Sequence, residues 1–522
     1  MKETESKIEK NLLKLDNYYQ NIDWHKIAVI FVSTFVWGMI AHGFMFFNKF
    51  SWGDDVANMY YFGTTEELGR WMLEILRRIF IFFFETNCSQ PFVNGMGSMF
   101  CIGCAICLLT DLIPFEKDSS LIAISGAFVT IPTMLSMFTY MFTAFAYMIG
   151  MLMSVTGVWI VCKGKPHIIR FAAGALLICA SIGVYQAWLP MALSVFLLYF
   201  LIETISNDTV ICKKYWGRAF YYLGVCVAAL VLYLIINEYI LMTKAIVMND
   251  HANLNTYGIV SVPEYLNRIL YAYRIFFRPS RTFYPSFISK VYKVMLLWVV
   301  ILTGYQLVKG FRQSMAKGLQ TILLLMLFPL AVCFVNVLSG DAFVLVLYPY
   351  TLVYLYFIWL LEREGYEKGK IYGVWRHRFG ILLVLCMCLW LSRYSNVSYM
   401  KANLVQERTI AYYTTLITRM QSTEGYSENM PVAYVNDTQN KSLATVTITE
   451  DLYPEPVVPH TFLNDYSWKL FIKEWCGFSP QEVDFTKREE LEMLEEVQDM
   501  PIYPNDGSIR IIDGILVVKM TE

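Results

Sequence analysis

The chain has 522 residues, of which 56% are hydrophobic and only 16% are charged, an apolar share too large for an ordinary soluble domain. Its formal net charge is −1, from 42 Lys and Arg against 43 Asp and Glu, which gives no basis for binding nucleic acid. These figures exclude a soluble single-domain enzyme. They indicate a polytopic protein whose first partner is the lipid bilayer.

The chain begins with a polar segment, residues 1–26, that is rich in lysine. It has no apolar core followed by small residues, so it does not read as a cleavable signal peptide. We therefore expect a cytoplasmic N-terminal segment and a first transmembrane helix that acts as its own insertion signal.

Apolar runs predict the membrane-spanning helices, because about 20 apolar residues are needed to cross the hydrocarbon core. The sequence predicts about 11 transmembrane helices in a domain of residues 27–393, so the fold class is mainly α. The spans are expected at residues 27–47, 92–110, 121–162 (two, broken near 132–140), 171–202 (a hairpin), 220–236, 294–307, 319–338, 342–361 and 379–391.

Basic residues concentrate in alternate loops, and this bias normally marks the cytoplasmic side. The opposite side then holds two outer loops, 48–91 and 242–290, and a region of residues 394–522. That region predicts a small extracytoplasmic α/β domain, with helices at 399–421 and 488–498, a strand at 431–436 and a hairpin turning at Asp513-Gly514.

Two adjacent carboxylates, Asp54 and Asp55, lie just beyond the first predicted span. Ionised Asp is unfavourable near hydrocarbon, so such a pair normally has a partner or a task. The alternative is that both residues merely cap the next helix. The same loop predicts an amphipathic helix over residues 68–83, which is either a plain interfacial anchor or a scaffold that holds the pair at a groove.

Arginines interleaved with aromatic residues mark the second outer loop, at Arg268, Arg274, Arg278 and Arg281. Cations on the side depleted in positive charge indicate an anionic partner, and a guanidinium matches phosphate well. The alternative is that they extend to lipid headgroups beside an aromatic belt. Most of the 12 cysteines lie in apolar runs, whereas Cys88 and Cys476 fall in the predicted extracytoplasmic segments, where a disulfide bridge can form.

Three short motifs resemble the Gtr type II membrane glucosyltransferases known from bacterial O-antigen modification. They are Gly53-Asp54-Asp55, Gly69-Arg70-Trp71 and Val184-Tyr185-Gln186-Ala187. The resemblance is strongest over residues 50–200 and fades in the C-terminal region. It implies a GT-C-like fold in the bacterial cytoplasmic (inner) membrane. It also implies a polyprenyl-phosphate-linked sugar donor and transfer of a hexose to a surface polysaccharide acceptor on the extracytoplasmic face.

With that resemblance, chemistry gives each candidate residue a role. An acceptor hydroxyl must lose its proton as the sugar carbon is attacked with inversion, so Asp54 is the expected base, and Asp55 orients it or helps to bind Mg²⁺ or Mn²⁺. Charge on the leaving phosphate requires fixed cations. The expected phosphate ligands are Arg274, Arg278 and Arg281, with Arg70 as an alternative, and the expected sugar contacts are Tyr185, Gln186, Trp71 and Asp341.

Two other functions fit the same spans, a lipid-linked sugar flippase or transporter and a polysaccharide polymerase. Transporters place polar groups near the bilayer midplane in broken helices, whereas here the polar groups cluster in predicted outer loops. The early Asp pair favours the transferase over the polymerase.

Overall fold

The computed structural model describes residues 22–49, 53–60, 63, 65–85, 89–206, 213–248, 260–280, 283–340, 343–366, 371–436, 463 and 466–520. Helices dominate these residues, and a small sheet lies near the C-terminal end. The longer helices are α1 (Trp24–Phe47), α3 (Trp71–Phe84), α4 (Pro91–Leu112), α5 (Asp118–Thr130), α7 (Met141–Cys162), α8 (Ile168–Val184), α9 (Trp188–Ser206), α10 (Lys213–Lys244), α11 (Val262–Phe277), α12 (Ser286–Gln313), α13 (Met315–Val332), α15 (Thr351–Tyr366) and α16 (Ile371–Gln421). The shorter ones are α2 (Gly53–Ala57), α6 (Pro132–Phe138), α14 (Phe334–Ser339), α17 (Trp468–Cys476), α18 (Phe485–Glu492) and α19 (Glu495–Gln498).

The mainly α, polytopic class is confirmed. Within the described residues, eight single helices are long and apolar enough to cross a membrane, and the number is nine if the pair α5 and α6, bent by 45°, is counted as one broken span. The other two predicted spans correspond to α8, an apolar helix of 17 residues, and to α15, which has 16 residues. Hydropathy therefore located the helices of the bundle, although two are shorter than a full crossing.

Two predicted spans differ from the structure at the same end of the bundle. Residues 319–338 are not one helix, because α13 contains Pro329 and ends at Val332, and α14 begins at Phe334. Residues 342–361 are not one helix either, since 3₁₀ turns at Val344–Val346 and Tyr348–Tyr350 precede α15. Proline lacks the N–H that continues a helix, so apolar composition alone overestimates helix length at both places.

Contacts between helix termini define two ends of the bundle. At the end that we call the basic end, His25 Nε2 lies 3.0 Å from Asp118 and Lys163 Nζ lies 2.5 Å from Asp111. Arg363 of α15 donates to Ser206 of α9 at this same end. The opposite end, the cavity end, gathers the predicted outer loops.

The predicted amphipathic helix of the first outer loop is present as α3. Phe82, Phe83 and Phe84 are exposed on it, whereas Glu74 is buried and pairs with Arg77 at 2.7 Å and with Arg78 at 3.0 Å. These arginines hold the pKa of Glu74 below its ordinary value. An exposed aromatic face beside a neutralised charged face suits a helix that lies in the membrane surface.

The C-terminal region contains the predicted small α/β unit. Strands β1 (Val432–Val435), β2 (Ile509–Ile512) and β3 (Ile515–Lys519) form a sheet of order β1-β3-β2, with β1 parallel and β2 antiparallel to β3. The predicted hairpin is present, and Asp513 and Gly514 both have positive φ at its turn. The expected boundary between residues 393 and 394 falls inside α16, because one continuous helix of 51 residues joins the bundle to the sheet.

Candidate active site

A cavity of about 1360 Å³ opens at the cavity end. Its walls come from α2, the start of α7, the junction of α8 and α9, the last turns of α10, and α14. The volume exceeds the roughly 300–1,000 Å³ usual for a site that binds one small ligand. The polar side chains that line it are Asp54, Asn58, Arg70, Tyr140, Tyr147, Tyr185, Gln186, Tyr233, Asn237, Glu238, Tyr239, Ser339 and Tyr466.

The two adjacent carboxylates have different environments. Asp54 lines the cavity and is half-buried. Asp55 is fully buried and accepts hydrogen bonds from Lys49 Nζ at 2.7 Å, Ser89 Oγ at 2.8 Å and the Phe142 amide at 2.9 Å. The Phe142 amide belongs to the first turn of α7, so Asp55 caps a helix that begins far along the chain. Asp55 thus connects three segments, whereas Asp54 faces the space where a ligand can bind.

The different environments of Asp54 and Asp55 decide whether the two residues could share the expected metal ion. Two adjacent aspartates would have to share a Mg²⁺ or Mn²⁺ ion through oxygen ligands, but the carboxylate of Asp55 is already neutralised by Lys49. Among the described residues, no group of three or more His, Cys, Asp or Glu side chains is arranged to hold a metal ion. The Asp54 and Asp55 side chains therefore do not fit a shared metal site.

Arg70 is a half-buried cation that lines the cavity. Its Nη1 donates to the Tyr147 hydroxyl at 3.0 Å, and its Cζ lies 5.2 Å from the centroid of the Tyr185 ring. Among the described residues it forms no ion pair with a carboxylate, and its Nε is buried without a hydrogen-bond partner. A partly buried guanidinium is costly without an anion, so this wall of the cavity is suited to a negatively charged ligand.

A short network fixes the backbone that presents Arg70. Gly69 has a φ of +70°, and its carbonyl accepts a hydrogen bond from the Tyr233 hydroxyl at 3.1 Å. Gln186 donates to the Leu68 carbonyl at 2.6 Å and to Tyr233 at 3.1 Å. Gln186 therefore lines the cavity, as predicted for a sugar contact, and it also connects α8 and α9 to the turn before α3.

The other residues expected to contact the sugar do not all line the cavity. Tyr185 lines the cavity, with its ring stacked on Tyr147 at a centroid distance of 4.7 Å. Trp71 does not line it, because its indole packs against Gly183, where an added Cβ would lie 2.6 Å from the ring. Asp341 lies outside the described residues.

The expected phosphate ligands of the second outer loop lie away from the cavity. Arg274 on α11 and Arg278, the residue just after this helix, are both exposed, whereas Ala272, Ile275 and Phe276 are buried. Neither arginine lines the cavity, and Arg281 lies outside the described residues.

Arg268 of the same helix does reach the rim of the cavity. It donates to the carbonyl of Leu338, a residue of the cavity wall, and pairs with Glu264 at 3.2 Å. Of the described arginines predicted to bind phosphate, Arg70 is the one that lines the cavity.

Several residues of the cavity were not anticipated from the sequence. Tyr140 lies at the helix break before α7; burial raises the pKa of its hydroxyl well above the ordinary value, and the charge of Asp54 raises it further. Glu238 follows the predicted span 220–236 directly, a position that could have been noticed by analogy with Asp54. Tyr466 carried no sequence signal, since it is one of 35 tyrosines.

One wall of the cavity carries exposed apolar side chains. Leu234, Ile235 and Met242 of α10 line the cavity and are 54%, 60% and 72% exposed. Other apolar residues of the lining are Phe334, Val335, Phe343 and Leu345. The cavity is therefore open to the exterior along α10, a helix long and apolar enough to cross a membrane, and we call this apolar part of its lining the lateral opening.

The fold and this cavity define the class of protein, a mainly α polytopic membrane protein with a polar site at one end of its bundle. The chain belongs to the glucosyl transferase GtrII family, whose sequence model matches residues 43–361. The match covers Asp54, Arg70 and the apolar lateral opening. No curated protein and no solved structure gives a significant match. The resemblance seen in the sequence is thus confirmed, and the chain is a membrane glucosyltransferase rather than a flippase or transporter.

Proposed function

We propose that this glucosyltransferase transfers a glucosyl group from a polyprenyl-phosphate donor to a polysaccharide on the extracytoplasmic side of a bacterial cytoplasmic membrane. The observation that carries the proposal is the coincidence, in one cavity, of a carboxylate, a half-buried arginine without a carboxylate partner, and an apolar opening on the outside of the bundle. The apolar opening suits the prenyl chain of the donor, the arginine suits its phosphate, and the carboxylate suits the acceptor hydroxyl.

The lateral opening accounts for the lipid part of the donor. Leu234 and Ile235 are exposed on a membrane-crossing helix and line the cavity as well. A prenyl chain can therefore stay in the hydrocarbon while its phosphate enters the polar space. A water-soluble nucleotide sugar would have no use for such an opening.

Arg70 accounts for the phosphate. When the sugar carbon is attacked, its bond to the phosphate oxygen breaks and the electron pair moves onto the phosphate. A preorganised cation at that point stabilises the developing charge, which is often the largest single contribution to catalysis. Burial between Tyr147 and Tyr185 strengthens the interaction, because it removes competing water.

Asp54 accounts for the acceptor. A sugar hydroxyl has a pKa far above neutrality, so a positioned carboxylate must take its proton during the attack. A lipid phosphate leaves without an acid, so one carboxylate is enough for direct displacement with inversion, in contrast to glycoside hydrolysis with its two carboxylates. Asp55, held by Lys49, keeps α2 in place rather than touching the sugar.

The distribution of charge supports the proposed orientation in the membrane. Lys163, Arg218 and Arg363 all lie at the basic end, and positive loops normally remain in the cytoplasm. The cavity and the C-terminal α/β unit then face outward, where the acceptor polysaccharide is exposed.

The test is transfer of labelled glucose from polyprenyl-phosphate glucose to acceptor polysaccharide in proteoliposomes. Asp54→Asn should lower the rate by about 10²–10⁴-fold, as for loss of a general base, with donor binding unchanged. Asp513→Asn is the matched control, since it makes the same change at an exposed turn. The product should have the opposite anomeric configuration to the donor; retained configuration, or full activity of Asp54→Asn, would contradict the mechanism.

A further inference from the structure

Tyr466 brings the C-terminal region into the candidate active site. It lies just before α17, beyond the residues 43–361 that define the family, and its hydroxyl donates to Asp54 Oδ1. The ring also lines the cavity and is 62% exposed. The proposed base is therefore in contact with a side chain from a separate part of the chain.

The contact is supported by docking of α17 against the segment that carries the Asp pair. Tyr60 donates to Glu474 Oε2 at 3.1 Å. Lys49, which pairs with Asp55, has its Nζ 5.9 Å from the centroid of the Trp475 ring. Gln406 of α16 donates to the Lys49 carbonyl at 3.1 Å. The C-terminal region therefore contacts Lys49 and Tyr60, which precede and follow Asp54 in the chain.

The hydrogen bond has a chemical consequence. The phenol of Tyr466 occupies an acceptor position on the proposed base. A lone pair of the same carboxylate must take the proton of the acceptor hydroxyl. As long as Tyr466 donates to Asp54 Oδ1, one of the lone pairs that an acceptor hydroxyl or a water molecule could use is occupied.

We propose that Tyr466 is a positioning residue that determines specificity for the acceptor over water. The acceptor hydroxyl replaces the phenol on Asp54 Oδ1, because a sugar that fills the cavity gains further contacts, whereas a single water does not gain enough to displace it. The inference rests on the proposed function, since it assumes that Asp54 is the base and that the donor is a sugar phosphate.

The two competing reactions differ only in the nucleophile. With the acceptor, its oxygen bonds to the sugar carbon, the bond to phosphate breaks with the electron pair going to the phosphate, and the hydroxyl proton passes to Asp54. With water, the same transfers release free glucose and polyprenyl phosphate. Preventing that loss is a known benefit of excluding water from a reactive site.

The experiment compares Tyr466→Phe with the wild-type protein in proteoliposomes that contain polyprenyl-phosphate glucose labelled in the sugar, with and without acceptor. Removing the hydroxyl should raise glucose release without acceptor, relative to transfer at saturating acceptor, by about tenfold, the value of one hydrogen bond to a charged group. It should lower KM for the acceptor and change kcat for transfer little, because the ring is retained.

Two further variants test the cause. Tyr60→Phe removes a hydroxyl from the docking contact with Glu474 and should leave the ratio unchanged; an equal rise would overturn the inference by assigning the effect to looser docking. In an Asp54→Asn background, Tyr466→Phe should cause no extra glucose release, and release that persists would equally overturn it.

The outcomes separate the two proposals. Normal transfer by the wild-type protein with an unchanged ratio in Tyr466→Phe would overturn this inference alone. Absence of any wild-type transfer from this donor would overturn the proposed function and the inference together.

Discussion

Asp54 and Asp55 show how neighbouring residues with identical side chains take different roles. Successive positions on a helix do not share a face, so only one of the pair can point into the cavity. The sequence predicted that two carboxylates beside a membrane need partners, and both have them. It could not assign the partners, because Lys49, Ser89 and Phe142 reach Asp55 from three separate segments.

Asp55→Asn should therefore destabilise the fold, because it leaves Lys49 without its buried counter-ion. Removing one partner of a fully buried pair costs about 3–5 kcal/mol. We expect about 2 kcal/mol, below that range, since the Lys49 side chain is 30% exposed. Thermal unfolding in detergent measures this, and adding Lys49→Met should recover part of the loss. A Tm equal to that of the wild-type protein would rule out the structural role of Asp55.

For the secondary-structure elements, hydropathy predicted where the helices lie but not the backbone conformation at their ends. The motif Gly69-Arg70-Trp71 was visible in the sequence, yet its geometry depends on the left-handed φ of Gly69. Arg70 is the N-cap residue of α3, outside the periodic part of the helix. It therefore enters the cavity, whereas Trp71, one residue later, packs against α8. Periodicity could not predict that division.

Gly69→Ala should disturb this turn and the placement of Arg70. A non-glycine residue at positive φ costs about 1–2 kcal/mol, and an added Cβ would lie 2.4 Å from the Tyr233 hydroxyl. We expect a lower Tm and a fall in transfer rate of at least about tenfold, because a small misplacement of a catalytic group has large kinetic effects. Gly217→Ala in α10 is the matched control, since nothing lies within 4 Å of its added Cβ. Unchanged rate and Tm in Gly69→Ala would contradict this account.

For the whole molecule, charge placement predicted the two ends of the bundle, and the contacts at the basic end agree with it. The cavity was harder to predict, because its polar residues are scattered between Asp54 and Tyr466 and meet only after the bundle forms. The lateral opening could not be predicted either, because in the sequence Leu234 and Ile235 resemble ordinary lipid-facing residues of an apolar helix.

The lateral opening gives a prediction about donor length. Leu234→Gln should raise KM for a long-chain polyprenyl-phosphate donor by about fivefold, the effect of about 1 kcal/mol of lost apolar contact. A donor with a short prenyl chain should be used as before, and kcat should not change. Leu223→Gln is the control, because Leu223 is equally exposed at 54% on the same helix but does not line the cavity. Equal effects of both variants would show that the opening has no part in donor binding.

The 51 residues of α16 form a single rod from the membrane bundle to the sheet. A rod transmits rotation: inserting one residue near its middle would turn everything beyond by about 100° and advance it by about 1.5 Å. The number of residues in α16 therefore determines the orientation of the C-terminal region relative to the bundle. Swapping this region between relatives would succeed only where the number of residues in the rod preserves that phase.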